Sequence, residues 1–191
     1  MKFKELLASE FKPYGELSRE QLGLLEKHYE LLLKWNRLLN LTRIEGLEDA
    51  VRFHYCESLF LGGRLPKGPL RVADVGSGAG FPGIPVAVLR PDLEMILIES
   101  HQRKAVFLRE AARELPNVTV VGMRAEEWRG STQWVVARAV APREVLSLAI
   151  APDYALLVGA TDIPAGADVI RAPWGAERVV AVSRETVSRG T

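Results

Sequence analysis

The chain has 191 residues, enough for one domain with a sizeable core, and its content of 48% hydrophobic and 26% charged residues is ordinary for a globular protein. With 25 basic and 24 acidic residues, the net charge of +1 excludes a generally basic nucleic-acid-binding protein and confines any such surface to a local patch. The single cysteine, Cys56, excludes a disulfide framework, the three histidines lack metal-ligand spacing, and no apolar run could span a bilayer. We therefore expect a cytoplasmic protein without a metal site and without membrane association.

Residues 1 to about 62 predict a helical extension. Ser18 and Gln21 fit a capping box at a helix start. The apolar residues that follow recur at helical spacing and predict one buried face: Leu22, Leu25, Tyr29, Leu32, Leu33, Trp35 and Leu39. A further helix is predicted from Gly46 to Leu61. The segment 62–69, rich in glycine and proline, is the clearest linker, so we predict a helical unit over 1–62 and a second unit over 63–191.

Strand and helix patterns alternate beyond the linker. Strands are predicted at 70–75, 94–99, 118–122, 133–139 and 154–158, with helices near 82–90, 101–115 and 142–150. Apolar strands between helices predict a parallel sheet covered on both faces, which binds ligands beyond the carboxyl ends of its strands. Two last strand patterns, at 167–171 and 178–183, have no crossover helix between them and should pair antiparallel.

The turn after the first predicted strand is the most informative segment. Asp74 ends the strand, and four glycines follow it: Gly76, Gly78, Gly80 and Gly83. Glycines accept positive φ and let backbone N–H groups approach a ligand closely. The sequence therefore predicts a ligand-binding turn, although a purely structural glycine turn stays an alternative.

Two ligand classes fit this turn. Residues 78–83 satisfy G-x-G-x-x-G, the dinucleotide fingerprint, whereas residues 74–80 match the D-x-G-x-G-x-G turn of S-adenosylmethionine (AdoMet) methyltransferases. Both folds place an acid at the end of the next strand to accept ribose hydrogen bonds, and Glu99 stands there. Asp74 favours AdoMet, because an acid at that position crowds a pyrophosphate, whereas AdoMet carries a cationic sulfonium and an amino group. We also expect a side chain at Gly76 to project into the path of the cofactor.

With these residues in place, the sequence resembles the glucose-inhibited division protein B family, the small-subunit ribosomal RNA methyltransferases G. The similarity runs from the first helices to about Pro142. Besides residues 74–85, the stretches that carry it are Leu33–Asn36 with Asn40–Thr42, Arg52–His54 with Glu57–Ser58, and Arg138–Ala139. The chain departs from the family pattern at Glu57, where aspartate is usual, and at Val158–Ala160, where a lysine–glycine pair is common.

This resemblance implies a class I AdoMet-dependent methyltransferase fold, with a doubly wound, mostly parallel sheet that closes in a C-terminal antiparallel hairpin. It further implies an enzyme that methylates N7 of a guanine in the decoding region of bacterial 16S rRNA, with the RNA or the 30S subunit as partner. We expect a monomer. The alternatives are an AdoMet-binding module without methyl-transfer activity and an NAD-dependent oxidoreductase.

The resemblance implies that Gly76 and Phe81 contact AdoMet in the first turn, Ala125 and Glu126 near the adenine, and Arg138 between cofactor and acceptor. The full set predicted for AdoMet binding is Asp74, Gly76, Gly78, Gly80, Phe81, Glu99, Ala125, Glu126 and Arg138. Structural interpretations stay open for several of them. These are a strand-end acid (Glu99), a helix cap (Asp74), a hydrophobic staple (Phe81), an acidic helix start (Glu126) and an ion pair with Glu57 (Arg138).

Cationic side chains gain affinity from phosphates, so the candidates for RNA contact are basic: Lys34, Arg37, Arg52, Arg103 and Lys104. His54 is a further candidate, with a hydrogen-bonded core histidine as the alternative. We name no catalytic base, because guanine N7 has a free lone pair and carries no proton. Alignment and proximity are then the main requirements.

Overall fold

The computed structural model describes residues 2–43 and 46–184. Helices α1 (Phe3–Phe11) and α2 (Arg19–Leu39) precede a third helical segment. This segment consists of α3 (Leu47–Ala50), a π-helical stretch (Val51–Cys56) and α4 (Glu57–Gly62). The predicted capping box is confirmed, because Ser18 Oγ accepts the Gln21 N–H at 3.1 Å and the Gln21 side chain accepts the Ser18 N–H at 2.9 Å. Over the described ranges, no helix has the length and hydropathy needed to cross a membrane.

A seven-stranded sheet follows, with strand order β3-β2-β1-β4-β5-β7-β6. Its strands are β1 (Arg71–Val75), β2 (Glu94–Ile98), β3 (Val118–Val121), β4 (Trp134–Arg138), β5 (Asp153–Gly159), β6 (Asp168–Arg171) and β7 (Arg178–Val182). The helices between them are α5 (Gly83–Leu89), α6 (Gln102–Ala111) and α7 (Pro142–Ser147). The first five strands pair in parallel, and β7 pairs antiparallel with both β5 and β6. The predicted parallel sheet and C-terminal hairpin are confirmed.

Alternate residues of the strands bury two cores on opposite faces of the sheet. On one face, Val72 and Leu97 join a cluster that includes Leu7 of α1 and Leu25 of α2. On the other face, Ala73 and the residues beside it on neighbouring strands pack against α7 and the loops next to that helix. The N-terminal helices therefore share a core with the sheet. The division into two units at residue 62 stays a prediction.

Helix α2 buries a narrower face than its sequence predicts. Leu25 and Leu32 are buried, whereas Leu33 is 41% exposed, so its assignment to the apolar face is wrong. A residue one step beyond Leu32 is rotated by about 100° around a helix and points away from the core. His28, which the sequence analysis left out of this face, lies buried between Leu25 and Leu32.

Candidate functional site

The glycine turn leaves β1 in a conformation that its glycines make possible. Gly76, Gly78 and Gly80 have φ values of 70°, 53° and 86°, all in the left-handed region. The N–H groups of Gly76 and Ser77 both donate to the Ile98 carbonyl, at 2.9 and 3.2 Å, so the turn is attached to the end of β2. The glycine requirement predicted from the sequence is confirmed.

Asp74 lies beneath this turn rather than in it. Its carboxylate is fully buried, and Oδ2 accepts the Gly83 N–H at 2.9 Å at the start of α5. The other oxygen, Oδ1, has no hydrogen-bond partner among the described residues. Burial is the main reason why the pKa of Asp74 rises to about 7. The helix-cap interpretation of Asp74 is confirmed, while contact with a cofactor stays a prediction.

Glu99 connects the glycine turn to α6. Its Oε2 accepts the Gly78 N–H at 2.9 Å, and its Oε1 accepts the His101 N–H at 2.7 Å. Both bonds hold the carboxylate in one orientation at the edge of a pocket that it helps to line. Each carboxylate oxygen can accept more than one hydrogen bond, so this geometry leaves Glu99 able to accept from a ribose hydroxyl as well.

The pocket above the glycine turn, here called the turn pocket, has a volume of about 470 Å³. It is lined by Leu41–Arg43, His54, Gly76–Ala79, Phe81, Glu99, Lys104 and Arg138–Val140. A Cβ added to Gly78 would meet only the Gly76 carbonyl oxygen, at 3.7 Å, and otherwise open space. The backbone at Gly78 therefore forms a cradle that a side chain would fill.

At Gly76 and Gly80, in contrast, an added Cβ would collide with protein atoms. A Cβ at Gly76 would lie 2.8 Å from Val140 Cγ2, and one at Gly80 would lie 2.6 Å from Ile84 Cδ1. A side chain at Gly76 would therefore collide with Val140, and its projection into the path of the cofactor stays a prediction. Gly80 is absent from the pocket lining, and its role in cofactor binding stays a prediction.

Phe81 and His54 form one wall of the turn pocket. Their rings stack with centroids 4.5 Å apart and an interplanar angle of 11°. His54 Nε2 lies 2.7 Å from Thr42 Oγ1, whereas the buried Nδ1 has no hydrogen-bond partner among the described residues. Burial, followed by the charge of Arg138, lowers the pKa of His54 to about 3. His54 is therefore neutral at pH 7, which confirms the core-histidine interpretation and argues against a cationic phosphate contact.

Arg138 ends β4 at the boundary between the turn pocket and a second one. Its Nη1 donates to the Phe53 carbonyl in the π-helical stretch, and it lies 3.8 Å from Glu57 Oε2. The next residue, Ala139, has a φ of 58°, which turns the chain sharply after the strand. Burial lowers the pKa of Arg138 to about 10, so the guanidinium stays charged at pH 7. The ion pair with Glu57 considered in the sequence analysis is confirmed.

The second pocket, here called the strand-end pocket, has a volume of about 430 Å³ beyond the carboxyl ends of β4 and β5. It is lined by Arg138–Pro142, Leu157–Gly159, Asp162 and Arg178. Arg178, at the start of β7, places its Nε 2.7 Å from Glu57 Oε1. Burial raises the pKa of Glu57, and the two arginines oppose that rise. Sequence analysis missed Arg178, although a charged residue opening an apolar strand was a usable signal.

The remaining cofactor candidates lie outside both pockets. Ala125 and Glu126 are in the turn after β3, where Glu126 is exposed and its carbonyl accepts Arg129 Nη1 at 2.9 Å. Their contact with a cofactor stays a prediction.

The basic candidates divide into two groups. Lys34, Arg37 and Arg103 are exposed on α2 and α6, and Lys104 lines the turn pocket. Arg52, in contrast, donates from Nε and Nη2 to Glu10 Oε1 at 3.0 and 2.8 Å, which ties the π-helical stretch to α1. An RNA contact by Arg52 stays a prediction and would have to compete with this ion pair.

His28 is another residue that the sequence analysis did not assign to the site. Its Nδ1 lies 2.9 Å from the Tyr55 hydroxyl, and its Nε2 lies 3.0 Å from the Ala79 carbonyl. It thus connects α2 to the glycine turn from below. Burial lowers its pKa to about 4, so it stays neutral at pH 7.

Comparison with known proteins agrees with this geometry. The family model described as rRNA small subunit methyltransferase G matches residues 21–154. Ribosomal RNA small subunit methyltransferase G of Chromobacterium violaceum is 46% identical over 116 residues, covering 60% of this chain and 55% of that protein. The protein of the same name from Geobacter sp. (strain M21) is 41% identical over 143 residues, covering 71% and 65%. The chain thus spans less than two thirds of the length of either relative.

Among solved structures, a SAM dependent methyltransferase from Aquifex aeolicus superposes with a TM-score of 0.53 at 14% identity, covering 70% of this chain and 91% of that chain. At that identity the likeness shows the fold alone. The chain therefore has the class I methyltransferase fold and belongs to the rRNA small subunit methyltransferase G family.

Proposed function

We propose that this protein binds AdoMet in the turn pocket and transfers its methyl group to N7 of a guanine in 16S rRNA, held in the strand-end pocket. One observation carries the proposal: the two pockets adjoin, because Arg138, Ala139 and Val140 line both of them. AdoMet above the glycine turn and the acceptor guanine at the end of β4 would then lie on either side of the segment 138–140. Proximity of this kind is the main need of the reaction.

The turn pocket suits AdoMet better than a dinucleotide. Its glycine cradle offers backbone close to a ligand, and the Glu99 carboxylate stands at its edge with Asp74 buried behind the turn. The charge of Glu99, together with the ionised fraction of Asp74, disfavours a pyrophosphate and favours a cationic ligand. AdoMet, when bound, supplies an electrophilic methyl group on a sulfonium. We place Ala125 and Glu126 near its adenine on the strength of the family pattern alone.

The acceptor side needs alignment rather than proton removal. N7 of guanine attacks with a free lone pair, and His54, the one histidine in the described walls of the two pockets, is too weak a base to take up a proton near pH 7 because its pKa is about 3. Arg138 keeps its charge between the pockets and can donate to O6 or to a phosphate oxygen of the acceptor. The chain's contribution is therefore to hold base and methyl donor in line.

The substrate side extends beyond the pockets. Lys34 and Arg37 on α2 and Arg103 on α6 are exposed cations that suit contact with the RNA backbone. We propose that the protein acts as a monomer on 16S rRNA or the 30S subunit in the cytoplasm.

The test incubates the protein with labelled AdoMet and 30S subunits, or their 16S rRNA, from bacteria that lack this modification. Products are mapped by strand cleavage at N7-methylguanine, and we expect label at a single guanine. Label on adenine or cytosine would refute the choice of base. AdoMet binding without methyl incorporation would instead indicate a binding module, and a thermal shift with NADH but none with AdoMet would indicate an oxidoreductase.

A further inference from the structure

Two arginines that line the strand-end pocket flank one buried carboxylate. Glu57 is fully buried in α4, with Arg178 at 2.7 Å and Arg138 at 3.8 Å from its two oxygens. Neither oxygen of Glu57 has a hydrogen bond among the described residues, so both contacts are ion pairs. One cation is enough to balance one carboxylate. The second arginine is left without a carboxylate of its own in this cluster, and Asp162, elsewhere in the pocket lining, brings the formal charge of the whole group to zero.

The two arginines are not equivalent. The Arg138 side chain is 11% exposed and donates to the Phe53 carbonyl, whereas the Arg178 side chain is 36% exposed. Over the described part of the chain, no hydrogen bond engages the terminal nitrogens of Arg178. Its Nε, however, is held against Glu57. The guanidinium is thus oriented at one end and available at the other.

The register of the sheet explains why Arg178 reaches the pocket. Arg178 of β7 pairs with Gly159 of β5, the last residue of that strand. A Cβ at Gly159 would meet only side-chain oxygens of Asp162 and Thr161, at 3.6 and 3.9 Å, and no atom of Arg178 within 4 Å, so the strand pairing rather than the missing side chain brings Arg178 here. A residue from the C-terminal hairpin therefore contributes to the wall of a pocket built mainly by β4 and β5.

We infer that Arg178 binds a backbone phosphate of the acceptor nucleotide, and that Glu57 positions its guanidinium for this contact. The inference rests on the proposed function, because it assumes that the strand-end pocket receives RNA. A guanidinium presents a planar pair of donors that matches two phosphate oxygens. The volume of about 430 Å³ is also in the range of small-ligand sites.

Asp162 lines the same pocket and favours binding of a nucleotide over binding of a free phosphate ion. Its carboxylate repels a free phosphate, but it can accept hydrogen bonds from the N1–H and amino groups of guanine. A guanine nucleotide can place its phosphate at Arg178 and direct its N1–H and amino group towards Asp162. Both charged side chains then have a partner.

The test compares Arg178→Gln with Arg184→Gln. Arg184 follows the far end of β7, is exposed and pairs with Asp168 at 3.1 Å, so its loss changes the net charge equally without touching the pocket. Binding of unmodified 30S subunits is measured by filter binding over a range of salt concentrations, together with AdoMet affinity and the KM for subunits. For Arg178→Gln we expect about 10-fold weaker subunit binding and a salt slope smaller in magnitude by about 0.7, with AdoMet affinity unchanged. For Arg184→Gln we expect wild-type values.

A second variant keeps the test sound if Arg178→Gln does not fold, because that change leaves Glu57 with a single distant partner. Glu57→Gln combined with Arg178→Gln removes the buried charge together with its cation. The double variant should fold and show the same loss of salt slope. A thermal unfolding scan on each variant establishes that the folded proteins are compared.

A wild-type salt slope and KM in folded Arg178→Gln protein would overturn the inference, as would an equal loss in Arg184→Gln. These outcomes differ from failure of the proposed function. If the wild-type protein transfers no methyl group to 30S subunits, the proposed function fails. If it does transfer and Arg178→Gln behaves as wild type, only the assignment of Arg178 fails.

Discussion

Gly78→Ala is the substitution that most directly tests the glycine cradle. Gly78 has a φ of 53°, and an added Cβ would meet the Gly76 carbonyl oxygen at 3.7 Å, which is ordinary van der Waals contact. The protein should therefore tolerate the methyl group apart from the left-handed backbone, which costs an L-residue about 1 kcal/mol. In a domain of this size, that corresponds to a fall of about 2–4 °C in the unfolding midpoint.

AdoMet binding should suffer far more than stability. The added methyl group occupies the open space that the cofactor would fill against the backbone, and overpacking by one carbon costs about 1–3 kcal/mol. We therefore expect about 10- to 100-fold weaker binding of AdoMet. Isothermal titration calorimetry measures the affinity, and a thermal scan measures the stability.

Gly68→Ala is the matched control. Gly68 has a φ of 94° with nothing within 4 Å of an added Cβ, and it lies outside both the turn pocket and the strand-end pocket. It should lose stability through the same kind of backbone strain while binding AdoMet as the wild type does. Undiminished AdoMet affinity in Gly78→Ala, or an equal loss in Gly68→Ala, would refute the cradle.

Two further predictions concern stability. Leu7→Ala should lower the free energy of unfolding by about 2–5 kcal/mol, because Leu7 is fully buried in the core shared with the sheet. Leu38 is 67% exposed, so the control Leu38→Ala should change that free energy by less than about 0.5 kcal/mol. A small effect of Leu7→Ala in urea unfolding would mean that α1 is not part of that core. Stability should also rise between pH 4 and pH 6.5, because the pKa values of His28 and His54 are about 4 and about 3 in the folded protein, so the unfolded chain binds more protons. Asp74, with a pKa of about 7, opposes this rise by binding its proton more tightly when folded, so Asp74→Asn should steepen the dependence near pH 5 by about 1.4 kcal/mol per pH unit. An unchanged slope in urea titrations of Asp74→Asn would contradict the raised pKa.

Local chemistry explains most of what could be predicted. The capping box at Ser18, the alternation of strands and helices and the positive-φ glycines are properties of neighbouring residues, and all are confirmed. Segment ends were predicted less well: α6 ends at Ala111, where the sequence analysis extended the helix to 115. Leu33 was misassigned because helical spacing alone does not show how wide a buried face is.

The linear sequence alone determined that this chain forms a mostly parallel sheet with a glycine turn after its first strand, since each of these features depends on residues close together in the chain. Tertiary structure decided which side chains meet across long separations. It buried Asp74 under the turn, stacked His54 on Phe81, and brought Arg178 to Glu57 from the opposite end of the chain. Burial and charge pairing depend on what packs against each group in space, and for that reason no local pattern contains them.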